Sequence, residues 1–96
     1  ETSASIVKLY LRNDNGVEIT SNSPEIGKVV EEVQPVEKPI GVPIRIAFSS
    51  KYFLDALKTF NSEQVFVKFT GEIRPFVIEG EQDPGLVQLI LPVRTE

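Results

Sequence analysis

Apolar and polar side chains alternate along residues 6–12, with Val7, Leu9 and Leu11 on one side and Lys8, Tyr10 and Arg12 on the other. A period of two marks a strand with one face buried. Asn15-Gly16 follows as a turn pair expected to take positive φ at both positions, and 17–20 alternates again, so the two runs predict a hairpin. Ser21-Asn22-Ser23-Pro24 reads as a turn, and 26–33 as a third strand carrying the adjacent pair Glu31 and Glu32.

Three prolines and one glycine within 34–43 leave room for neither a helix nor a central strand, so this stretch is a loop. Alternation resumes over 44–48 and stops at Ser49-Ser50, either of which can cap a helix through its hydroxyl. Phe53, Leu54, Leu57 and Phe60 then form an apolar stripe, with Lys51, Asp55 and Lys58 on the polar side. Past Asn61-Ser62, strands are predicted at 65–70, 73–78 and 86–91, separated by Gly71-Glu72 and by an acidic loop over 79–85. The last run is almost continuously apolar, as in a strand covered on both faces, and Pro92 ends its pairing to leave 93–96 as a tail. Seven strands and one helix make this an α+β domain, mainly antiparallel.

At 96 residues with 41% apolar and 25% charged side chains, the chain is one domain of ordinary globular composition. No apolar run approaches the roughly 18 residues of a membrane span. It has no Cys and no His, which removes thiolate nucleophiles, Ser/His and Cys/His pairs, disulfides and the usual zinc or copper ligands. It has no Met and opens Glu1-Thr2-Ser3, so it is expected to be a piece of a longer polypeptide. Ten basic against fourteen acidic residues give a formal charge of −4, which argues against a surface that grips phosphates tightly.

Little in the remaining inventory points to catalysis. Glu31 and Glu32 are neighbours on a strand, so they face opposite ways and cannot cooperate as an acid and a base. Glu79, Glu81 and Asp83 lack the spacing of a calcium loop and read as a solvated turn. Gly27-Lys28 lacks the rest of a phosphate-binding loop. Lys51 and Lys58 share a helix face but flank Asp55, which blunts their field, so the plain reading is a solvated face. Leu89, Leu91 and Val93, beside Pro92 and Arg94, suit either a surface groove or a terminal strand packed on a core. The residues alone leave binding or assembly as the function, with edge-strand peptide capture along 26–33 as one form of it and a carboxylate-dependent hydrolase as a remote one.

Four segments in register carry a resemblance: 19–25 (Ile-Thr-Ser-Asn-Ser-Pro-Glu), 46–58 (Ile-Ala-Phe-Ser-Ser-Lys-Tyr-Phe-Leu-Asp-Ala-Leu-Lys), 69–76 (Phe-Thr-Gly-Glu-Ile-Arg-Pro-Phe) and 88–95 (Gln-Leu-Ile-Leu-Pro-Val-Arg-Thr). In that order and spacing they are similar to the third domain of the bacterial sliding clamp, the beta subunit of DNA polymerase III. The resemblance implies a clamp-fold domain, a non-catalytic role without cofactors or metal, and a place in the bacterial cytoplasm. It also implies a homodimeric ring around duplex DNA that tethers polymerase and clamp-loader subunits through a linear peptide motif.

Carried onto this chain, the resemblance assigns half of the peptide pocket to Ser49, Tyr52, Ile73, Pro75, Leu89, Leu91, Pro92, Val93 and Arg94. Lys51 and Lys58 become candidates for the DNA-facing surface, and Glu31 and Glu32 for the subunit interface. The family's domain has a strand and a helix before the point where Glu1 stands. Residues 1–96 are therefore expected to be a partial domain that does not close a ring alone.

Overall fold

The computed structural model describes residues 5–23, 25 and 27–94. Two antiparallel sheets and one helix enclose the core. A four-stranded sheet has β1 (Ile6–Leu11), β2 (Val17–Ser23), β3 (Gly27–Val33) and β4 (Ile44–Ser49) in the order β3-β2-β1-β4. After α1 (Ser50–Leu57), a three-stranded sheet follows with β5 (Val65–Lys68), β6 (Phe76–Gly80) and β7 (Asp83–Ile90) in chain order. This matches the seven strands and single helix expected for the α+β domain.

Alternation decides which side of each strand is buried. Leu9 pairs with Ile46 and Val7 with Phe48 across β1 and β4, while Phe76 pairs with Ile90 across β6 and β7. Ile46, Phe48, Ala56, Phe76, Ile78 and Ile90 form the buried centre, with Val7, Leu9, Phe53 and Leu57 packed around it. Phe48 and Phe76 meet edge to face at 5.2 Å between ring centroids, and Phe69 lies 4.8 Å from Phe76.

Several local expectations give way to the structure. The β1–β2 turn uses positive φ only at Asn15 (67°), not at Gly16. Asn15 donates to the Arg12 carbonyl at 3.1 Å and Arg12 to the Gly16 carbonyl at 2.9 Å, the three-residue loop with a left-handed third position. A Cβ at Gly16 would strike the Arg12 guanidinium, so the glycine lets that side chain lie across the turn. Ser21 to Ser23 belong to β2, where pairing with Val29, Lys28 and Gly27 outweighs their turn propensity. Pro24 and Ile26, assigned to a turn and to the start of the third strand, lie outside the described residues, as do Thr95 and Glu96 of the tail.

In α1, Leu54 is 53% exposed while Ala56 is buried. The true stripe is Phe53, Ala56, Leu57 and Phe60, at i, i+3, i+4 and i+7, and Leu54 falls a third of a turn away from it. Residues 73–75 are not strand: a turn carries the chain through 72–74, and Pro75 has no N–H to give a ladder. The acidic loop is mostly β-structure. β6 runs to Gly80, the chain turns at 81–82, and β7 starts at Asp83, with a register shift at Glu79/Gly80. Nor is the apolar run of β7 covered on both faces, since Val87 and Leu89 are exposed, as is Leu91 just beyond it.

Candidate partner-binding site

The β6–β7 register builds the site. Phe76, Ile78 and Ile90 point to the core, so the alternate positions, Val77 opposite Leu89 and then Leu91 past the ladder's end, point outward. Leu89 and Leu91 are 60% and 66% exposed, an apolar pair two residues apart on one strand face. At Pro92 the chain leaves the three-stranded sheet, and the Val93 N–H donates to the Ala47 carbonyl at 2.8 Å on the free edge of β4. The segment expected as a short tail is thus a seam joining the two sheets. Beside it the 72–74 turn brings up Ile73, and Ile73, Pro92, Val93 and Arg94 line a hollow of about 220 Å³. Its apolar groups come from Ile73, Pro92 and Val93, but its lining is more polar than apolar, so it suits a side chain with an apolar part and a polar or anionic group beside it.

The other expected site residues take separate places. Ser49 is 4% exposed, and its hydroxyl accepts the Tyr52 N–H at 3.3 Å as the cap of α1. It therefore acts beneath the surface by holding the helix start, while Tyr52 stands 63% exposed and does not line this hollow. Pro75 is exposed at the foot of β6. Sequence reasoning missed a wider depression of about 950 Å³ on the outward face of the four-stranded sheet, which shares Ile73, Val93 and Arg94 with the first and also lacks Tyr52. Its signal is the polar half of the β1 alternation, Lys8 and Tyr10.

Lys51 and Lys58 both turn to Asp55, at 2.9 and 4.0 Å. The hydrogen bond from Lys51 holds the Asp55 carboxyl below the usual range, and Asp55 raises Lys51 in turn. Glu31 and Glu32 lie on β3, the edge strand of its sheet, facing opposite ways. Glu32 pairs with Arg12, which also holds Glu18 at 2.7 Å and Asp14 at 3.1 Å. These three carboxylates raise the Arg12 guanidinium, Glu32 first. Asp83, expected in a solvated turn, instead accepts the backbone N–H groups of Asn61 and Ser62 and the Ser62 hydroxyl. The Ser62 hydroxyl leads in holding its pKa low. Among the described residues no helix is long and apolar enough to cross a membrane, and no group of three or more acidic side chains is gathered to hold a metal.

Known proteins resemble this chain along nearly its whole length. Residues 2–94 match the family model described as DNA polymerase III beta subunit, C-terminal domain. The chain is 50% identical over 90 residues to the beta sliding clamp of Bacillus subtilis, covering 94% of this chain and 24% of that protein. A crystal structure of the Bacillus subtilis DNA polymerase sliding clamp superposes with a TM-score of 0.86 at 48% identity, over 100% of this chain and 25% of the clamp. The beta subunit from DNA polymerase of Streptococcus pyogenes superposes with a TM-score of 0.84 at 36% identity, over 98% and 25%. The chain thus spans about a quarter of the length of these relatives. These likenesses lend no support to a free-standing edge-strand adaptor.

Proposed function

We propose that this chain, which belongs to the family of C-terminal domains of the DNA polymerase III beta subunit, is the partner-binding part of a sliding clamp. In this reading the clamp is a non-catalytic, cofactor-free ring in the bacterial cytoplasm. It encircles duplex DNA without reading its sequence and tethers polymerase and clamp-loader subunits. The observation that carries it is that exposed Leu89 and Leu91 lead along the chain directly into Pro92, Val93 and Arg94, which with Ile73 line the hollow.

A linear motif with two apolar anchors has the right chemistry for that surface. One anchor lies along Leu89 and Leu91 beside Pro75, the second enters the hollow, and Arg94 and the Tyr52 hydroxyl orient the backbone. Each buried Leu or Phe anchor contributes about 1.5–3 kcal/mol, so two of them outweigh any single polar contact at the rim.

Two protomers pair through the β3 edge, with Glu31 and Glu32 as its acidic side. Lys51 and Lys58 face the central hole. Their pairing with Asp55 suits a surface that must pass over phosphates without holding them, because each phosphate firmly neutralised steepens salt dependence and slows sliding.

In a full-length clamp that contains this domain, Leu91→Asp together with Arg94→Ala is expected to reduce processive primer extension to the level seen without a clamp. Sedimentation should show the same dimer as before. Undiminished processivity with both changes in place would contradict the assignment.

A further inference from the structure

The wider depression extends well beyond the hollow proposed for an apolar anchor, with which it shares Ile73, Val93 and Arg94. It lies on the outward face of the four-stranded sheet, and its charge runs against that of the chain. The whole sequence carries −4, yet the depression is lined by Lys8, Lys28, Arg45 and Arg94 against two carboxylates, Glu18 and Glu72. Both carboxylates are engaged already. Glu18 pairs with Arg12 at 2.7 Å, and Glu72 accepts the Arg45 backbone N–H at 3.2 Å. Among the described residues, Lys8, Arg45 and Arg94 form no ion pair.

The ladder shows how these cations reach the first hollow. Tyr10 pairs with Arg45, and Lys8, two residues earlier on the same face, pairs with Ala47. Ala47 in turn accepts the Val93 N–H, so Lys8, Ala47 and Val93 form one lateral row ending next to Arg94. The Arg45 guanidinium carbon lies 4.3 Å over the Tyr10 ring centroid. Stacking fixes the plane of the guanidinium and leaves its N–H edges free to meet a carboxylate.

We propose that this depression receives acidic residues flanking the apolar anchors of the partner peptide, with Lys8 and Arg45 as its principal contacts and Arg94 shared between the two subsites. The inference rests on the proposed peptide-binding role. A peptide suits the depression better than nucleic acid does, because its four cations are interrupted by Glu18 and Glu72 and do not make the continuous basic track that a phosphate chain follows, whereas one or two side-chain carboxylates need only one or two cations. Exposed pairs of this kind contribute modestly and are screened by salt.

The test compares two peptides by NMR titration of an isotope-labelled full-length clamp that contains this domain: a Gln-Leu-x-Leu-Phe core, and the same core with two Asp residues added at either end. The acidic peptide is expected to bind roughly three- to tenfold more tightly at low salt and to add shifts at Lys8, Tyr10 and Arg45. Both effects should disappear in Lys8→Gln/Arg45→Gln and at about 0.5 M salt, while affinity for the core stays unchanged. Equal affinity for the two peptides, with the core still shifting Ile73 and Val93, would overturn the acidic subsite and leave the pocket standing. No response to either peptide would overturn both. Shifts at Lys8 and Arg45 of equal size with a short DNA duplex would reassign the depression to phosphate.

Discussion

Asp83 shows how one side chain can hold distant parts of the chain together. Its carboxylate receives the N–H groups of the segment that leaves α1, and the Ser62 hydroxyl it binds also accepts the Gln82 N–H at 2.6 Å. These bonds favour the charged form, so the folded-state pKa lies below the free value of about 3.9. The stability it contributes is complete above that value and is lost as pH falls through the folded-state pKa. Asp83→Asn should therefore lower the urea midpoint at pH 7, and the gap between variant and parent should close as pH falls below about 4. Burial makes a different demand. Phe76 is 1% exposed among other rings, and Phe76→Ala should cost about 3–5 kcal/mol in urea unfolding, a large share of what a domain of this size has.

At the scale of elements, α1 is too short to persist without its cap and its packing. Ser49→Ala should cost about 1 kcal/mol by the same measurement. It should also broaden the Tyr52 amide resonance, because the hydroxyl holds that N–H.

Strand and helix types were legible because each has its own period, and Val7, Leu9, Phe48 and Phe53 follow it. Strand ends were less so. Ser21 to Ser23 take turn-prone residues into a ladder because β3 is there to pair with them. Residues 73–75 are apolar enough for a strand, but Pro75 gives no donor and the chain turns before it. The start of β7 depends on Asp83 reaching a segment some twenty residues away in sequence, a contact that no local pattern contains.

For the molecule as a whole, the tail is the decisive connection. By crossing from β7 to the edge of β4, residues 92–94 join the two sheets and wall a hollow against Ile73. The family likeness of four segments picked out these residues from the sequence. Alternation alone did not, because an outward Leu89 or Leu91 looks the same in a strand whether or not a partner covers it. The cations of the neighbouring depression were harder still to find, since Lys8 and Arg45 come to one face only through the β1–β4 register.

The central claim is that this surface takes an apolar peptide, and the most direct measurement is a residue-by-residue NMR titration of the chain with a Gln-Leu-x-Leu-Phe peptide. Amide shifts are expected to concentrate at Ile73, Leu89, Leu91, Val93 and Arg94, with the Tyr52 amide moving as well. An unchanged spectrum at those positions, with shifts confined to the β3 edge from Lys28 to Val33, would contradict it.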